Sequence, residues 1–389
     1  SIATGQPGSG RVVLAESDFF TLTPSQERDW RGWMRWEREL EDGARMVVNA
    51  GHMDHNFRFT QPGTGASYQN GSGEWTDQPN SRSDADVHLR WAPAENLTIA
   101  AGAAFNRQQM DRRTLPATAW RDYASTFGEN SRGTGSSNIV ALFAQGEYNA
   151  TPALTLHTGL RLDRFSTRGQ VRQSTAPAFV ADYAMRSEHQ VSPKLAAVWR
   201  VSPQVTLRAS YGAGFRPPTL LDLYSRAVSP TTVAGVYSVN ESAPDLKAER
   251  IRAAELGIDV HLSPGAELGA AVFSQRLSDL IYRSRKSATL TQSVNAGRAR
   301  VEGIELSARQ PMLGKSVTLI ASASYLSRYA MVENPAIPAS VGKKLTDVPP
   351  YLFNAGIEFK RGAWSGSLVA SRVGHVFGSG DDSNINVVE

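Results

Sequence analysis

The chain has 389 residues, 41% of them hydrophobic, with 41 basic against 37 acidic side chains and no cysteine. That size supports a large folded structure, yet no apolar run reaches the roughly eighteen residues of a membrane-spanning helix. A disulfide framework is excluded, and basic residues scattered along the chain and nearly matched by acids speak against a nucleic-acid partner.

In chain order, the pattern predicts a first strand near 11–20, a short turn at 41–43, and a long polar stretch at 61–84. Short turns at 92–95, 150–152, 202–204, 263–266, 311–314 and 361–362 then alternate with long Gly- and Ser-rich stretches at 108–136, 167–187, 216–246 and 331–348. A medium connection falls at 284–292, and a last strand begins at 385. About sixteen strands of about ten residues each follow from this spacing.

The strands alternate apolar with polar residues. Leu154, Leu156, Leu160 and Leu162 are interleaved with Thr155, His157, Gly159, Arg161 and Asp163. Val205, Leu207, Ala209 and Tyr211 are interleaved with Thr206, Arg208, Ser210 and Gly212, and the pattern recurs at 255–262 and 353–360. Successive strand side chains point to opposite faces, so each strand offers one apolar and one polar face. Period alone does not say which face is wet. Short turns that alternate with long polar loops do, because outer-membrane barrels have short periplasmic turns and long extracellular loops. The expected fold is therefore all-β, a transmembrane antiparallel β-barrel over 1–389 in contact with outer-membrane lipid and lipopolysaccharide.

Two segments then reach a family. GFRPPTLLDLY at 214–224 and APDLKAER at 243–250 resemble the paired motifs of TonB-dependent outer-membrane receptors. NAGRARVEGIELSAR at 295–309, VPPYLFN at 348–354 and the hairpin at 143–163 are similar to further segments of that family, in the family's order. The resemblance implies a barrel of about twenty-two strands, a separate N-terminal plug filling its lumen, and power supplied by the inner-membrane TonB complex. Neither the plug nor a coupling box is in this sequence, and Ser1 and Glu389 both read as interruptions of a longer protein. The ligand it implies is a scarce iron chelate, most readily a ferric siderophore; haem, cobalamin or oligosaccharide receptors and a passive porin or adhesin are the alternatives. No His lies between Phe215 and Leu246, which weighs against haem.

Candidate residues fall into two groups. Trp75, Arg112, Arg113, Trp120, Tyr123, Arg216, Tyr224, Arg226 and Tyr237 fall in the loops, where rings and guanidinium groups suit stacking on an anionic aromatic chelate. Arg161, Asp163, Arg208, Glu255, Asp259, Glu305 and Glu358 fall on the polar face and are expected to line the lumen and meet a plug. No catalytic motif, resident cofactor or metal site is expected: His52 and His55 are three apart and face opposite sides of a strand, and GDDSN at 380–384 lacks a full calcium loop.

Overall fold

The computed structural model describes residues 23–231, 233, 235–263 and 265–377, together with the short pairs 2–3, 11–12 and 386–387. The strands expected near 11–20 and from 385 lie almost wholly outside the described residues, as does 380–384.

Fourteen strands form one antiparallel sheet. They are β1 Ser25–Glu39, β2 Arg45–Pro62, β3 Gly73–Ala94, β4 Leu97–Ala117, β5 Ser131–Thr151, β6 Leu154–Gln173, β7 Phe179–Arg200 and β8 Val205–Arg216. A one-turn helix α1 (Leu220–Tyr224) and two short strands, β9 (Ala227–Pro230) and β10 (Tyr237–Glu241), follow. The chain then returns to the sheet with β11 Glu249–Ser263 and β12 Ala266–Ser278, leaves it for β13 Ile281–Arg285 and β14 Leu290–Asn295, and ends with β15 Arg298–Met312, β16 Val317–Glu333, β17 Tyr351–Arg361 and β18 Trp364–Val373. Sequence neighbours pair throughout the large sheet, with β1 and β18 at its edges, while β9, β10, β14 and β13 make a separate four-stranded sheet. The medium connection expected at 284–292 is the tip of the β13–β14 hairpin in that second sheet.

Register carries the alternation across the wall. One outward row runs Val87, Ala103, Leu142, Leu162, Val191, each directly opposite the next. An inward row runs Ser210, Glu255, Phe273, Gly303. Large apolar side chains such as Leu160, Leu195, Leu256, Ile304 and Leu368 are exposed on the outer face. In water such a face would drive aggregation; in lipid it is the contact surface. Trp36, Tyr148, Trp199 and Trp364 are exposed beside the short turns, where an amphipathic ring suits the membrane boundary. The turns are tight: Arg361 pairs with Trp364, and Gly362 takes the positive φ of 60° that the two-residue connection requires.

The strands are longer than the expected ten residues, reaching 22 in β3 and β7. Much of 61–84, 108–136 and 167–187, expected as loop, is strand. Above the lipid both faces are polar, so the two-residue apolar period vanishes while backbone pairing continues.

Candidate ligand-facing site

The two family-like segments build the mouth of the barrel. Pro217 and Pro218 remove two ladder donors and end β8, and Thr219 caps α1. The Thr219 hydroxyl accepts from the Asp222 amide at 3.1 Å, and the Asp222 carboxylate accepts from the Thr219 amide at 3.2 Å, a reciprocal capping box. The helix turns Leu220, Leu223 and Tyr224 against the inner face of β5 and β6, where Gly133, Gly135 and Gly169 leave room for them. Met110, Val171, Ala243 and Leu246 complete this apolar cluster, with Phe179, Tyr183 and Ile281 packed on it. Tyr224 is 1% exposed, stacks on Tyr183 with centroids 5.7 Å apart, and shares a 2.7 Å hydrogen bond with the Thr167 hydroxyl. Burial pushes its phenol above the ordinary tyrosine range.

The second segment is held by side chains of β7 and by Asn295. Arg186 donates to the carbonyls of Pro244, at 3.1 Å, and Leu246. Glu188 accepts from the Ala248 amide at 3.3 Å, and Gln190 accepts from the Arg250 guanidinium at 3.1 Å. The Asn295 side chain satisfies both the amide and the carbonyl of Lys247, at 2.7 and 2.9 Å. Glu249 pairs with Arg216 and accepts from the Ile281 amide at 2.8 Å. The residues that make the motifs recognisable are therefore structural ties.

Several loop candidates share that fate. Trp75 and Trp120 are buried, at 1% and 0% exposure. Trp75 meets the edge of Tyr123 at 5.4 Å, and the Trp120 indole donates to the Ser67 carbonyl at 3.0 Å. Tyr123 donates to Asp77 at 3.1 Å beneath the Arg58 guanidinium, and burial, then the Asp77 charge, raises its pKa. Arg226 is buried on Glu241 at 3.1 Å with its guanidinium over Phe179. Trp75, Trp120, Tyr224 and Arg226 thus have no free face for a ligand in this structure. Arg113 shares Asp111 with Arg132, whereas Arg112 is partly buried opposite Gly133 and Tyr237 is half-buried. Arg216 keeps 75% of its side chain exposed despite its bond to Glu249.

The polar-face candidates share the inner face. Arg161 pairs with Asp163 at 2.8 Å, Arg208 with Asp259 at 2.7 Å, and Arg309 with Glu358 at 3.4 Å. Glu255 and Glu305 line one cavity of about 780 Å³ with Arg90, Lys194 and His157. His52 and His55 do point apart, one to Ser83 and the other to Asp29.

Sequence reasoning passed over one group. Arg283, Arg285 and Lys286 are exposed on the β13–β14 hairpin, and their side chains have no hydrogen bond or ion pair among the described residues. The run RSRK at 283–286 was the available signal, hidden because it lay in a segment read as a plain connection.

A lipid-facing antiparallel wall with short turns on one side and folded loops on the other defines an outer-membrane β-barrel. The chain belongs to the family described as TonB dependent receptor-like, beta-barrel, which it matches over residues 5–388, and its place is the outer membrane of a Gram-negative bacterium. The members of this family are transport receptors. An iron-regulated outer membrane virulence protein of Vibrio cholerae is 27% identical over 183 residues, covering 43% of this chain and 26% of that protein. Among solved structures, the ferric yersiniabactin uptake receptor FyuA from Yersinia pestis superposes with a TM-score of 0.68 at 14% identity, over 92% of this chain and 52% of that one. The copper transporter OprC superposes with a TM-score of 0.69 at 18% identity, over 91% and 52%. At those identities the likeness is one of fold. The chain spans about half the length of these receptors.

Proposed function

We propose that this chain is the barrel domain of a receptor that imports an anionic iron chelate, a ferric siderophore, with a plug as gate and the TonB complex as power source. Catalysis plays no part in this reading. The supporting observation is the cationic hairpin: Arg283, Arg285 and Lys286 stand exposed and uncommitted on the extracellular sheet, while most other loop arginines are tied to carboxylates. A cluster of one sign raises the local concentration of an opposite charge and speeds its capture. Arg112, Arg216 and Tyr237 are the remaining contacts at the mouth, and the lumen carboxylates and arginines meet the plug. The receptors of similar fold include siderophore receptors, among them that for ferric yersiniabactin, and the curated relative is iron-regulated; both favour iron over other cargo.

The test is uptake by cells carrying the full-length protein, offered radiolabelled ferric siderophores, haem and cobalamin with and without a proton-gradient uncoupler. Siderophore uptake that stops with the uncoupler is expected, and Arg283→Gln with Arg285→Gln should weaken half-saturation by about tenfold. Uptake indifferent to the uncoupler removes the active-transport reading, and uptake of haem or cobalamin alone removes the siderophore.

A further inference from the structure

Glu27 and Asp29 are two apart on β1 and share one face of it. The pairing of β1 with β2 puts His55 directly opposite Asp29 and Phe57 opposite Glu27, so an imidazole from one strand meets two carboxylates from the other. All three residues face the lumen: Val48 is opposite Val87 in the outward row, and His55, seven residues further on, has the other facing. On the outward face of β2 the apolar run ends at Ala50 and continues as His52 and Asp54, so His55 stands above the lipid. Across the inner wall His55 is opposite Asn80, and Asn80 is opposite Met110, a member of the apolar cluster under α1. The group is therefore level with the mouth of the barrel.

The donor atoms converge. The imidazole Nδ1 lies 2.7 Å from Asp29 Oδ1 and 3.6 Å from Glu27 Oε1. One nitrogen and two carboxylate oxygens fall within 4.8 Å of one another, and no other group of His, Asp and Glu among the described residues does so. Two donors bound to one tetrahedral zinc at about 2.1 Å are about 3.4 Å apart, so small side-chain rotations bring these three onto one ion. Competing cations are few: Arg31 reaches Asp29 at 3.4 Å with its own side chain 68% exposed, and Glu27 has no arginine or lysine partner among the described residues. Elsewhere at the mouth carboxylates hold guanidinium groups closely, Asp77 that of Arg58 at 2.7 Å and Asp111 those of Arg113 and Arg132. Asn80 donates to the Gln78 carbonyl at 3.0 Å, which leaves its side-chain oxygen uncommitted one strand spacing from His55.

We propose that Glu27, Asp29 and His55 bind a divalent transition-metal ion of the zinc type. An imidazole nitrogen beside two carboxylates suits zinc, whereas calcium and magnesium are held by oxygen alone and calcium takes about six to eight of them. Binding uses the tautomer with its proton on Nε2, so Nδ1 exchanges its hydrogen bond with Asp29 for an ion that both share. Three protein donors leave a coordination position open to water or to the Asn80 oxygen, and the ion exchanges with the medium through the mouth. With a neutral imidazole the group has two formal negative charges, opposite in sign to the hairpin of Arg283, Arg285 and Lys286. It therefore takes the free cation and not an anionic chelate, and is independent of what the receptor imports.

The experiment uses untagged full-length protein, extracted from outer membranes in mild detergent, freed of metal with a chelator and titrated calorimetrically with zinc, calcium or magnesium chloride. The wild-type protein should bind zinc, and His55→Gln and Glu27→Gln should each weaken one equivalent of that binding by about tenfold or more, since losing even an outer partner of a metal ligand costs about that much. His52→Gln, three residues from His55 and on the opposite face, should bind as wild type. Calcium and magnesium isotherms should not respond to any of the three substitutions. Heat-modifiable gel mobility reports folding for each variant, so a failure of the barrel itself is seen separately. No zinc uptake by the wild type, zinc isotherms in folded His55→Gln and Glu27→Gln that match it, an equal loss in His52→Gln, or a calcium isotherm weakened as much as that of zinc would each overturn the proposal.

Discussion

The glycine cradle under Tyr224 makes the sharpest structural demand in the molecule. A Cβ at Gly169 would lie 2.4 and 2.5 Å from Cγ and Cδ2 of Tyr224 and 2.6 Å from the Thr134 carbonyl oxygen. Neither the ring root nor the backbone can move aside cheaply, so Gly169→Ala should destabilise the docked loop by about 2 kcal/mol, the middle of the overpacking range. That is roughly a thirtyfold rise in the open population of 217–246. Tyr224→Phe removes the 2.7 Å bond to Thr167 and leaves the packing, so about 1 kcal/mol is expected. Tyr224→Ala removes the Cγ and Cδ2 atoms that the new methyl group meets, and in combination with Gly169→Ala the two losses should not add. Hydrogen exchange of peptides from 217–246, in the full-length protein in detergent, reads the opening directly, while peptides from the sheet control for global unfolding. Unchanged exchange in Gly169→Ala, or a double variant equal to the sum of the singles, would show that the cradle does not hold the loop.

How much of this was legible in sequence depends on where the physics was periodic. The lipid-facing rows were readable because Leu154 to Leu162 and Val205 to Tyr211 alternate with polar residues. The seven short turns, set against the long polar stretches, then gave the expectation of which face is wet. Above the membrane the signal disappears, so the upper halves of β3 to β7 read as loop though they continue the ladder. The mouth was misjudged in a more instructive way. Trp75, Trp120, Tyr224 and Arg226 look like ligand groups by residue type, but a protruding wall of strands needs its own small core, and these are its contents. What distinguishes Arg226 from Arg283 is a carboxylate that arrives from Glu241, fifteen residues away, and no local pattern encodes that.

Three further tests address topology, pH and facing. Cysteine at Ser229, exposed on the extracellular sheet, should react with a membrane-impermeant maleimide on whole cells, and cysteine at Gln204, in a short turn, should not; reversed labelling would invert the barrel. Tyr224 and Tyr123 both have pKa values raised by burial, so the docked mouth favours the neutral phenols. Its stability is complete below the free tyrosine value of about 10 and is lost as pH rises through the raised values, so exchange in 217–246 should quicken above about pH 10 in wild type and less so in Tyr224→Phe. Facing is tested by depth. Leu195 is the third of five outward positions on β7, midway through the band, whereas Leu207 is directly opposite Trp199 near the short turns. An arginine facing lipid costs about 2 to 4 kcal/mol at the midplane and about 0 to 1 near an interface, so Leu195→Arg should impair assembly strongly and Leu207→Arg only slightly. Arg208→Leu, one residue from Leu207 but on the lumen side, forfeits a half-exposed pair with Asp259 and should fold nearly as wild type. Urea titration of heat-modifiable mobility in liposomes ranks the three. Equal losses at Leu195 and Leu207, or a greater loss at Arg208, would contradict both the facing and the depth that the register assigns.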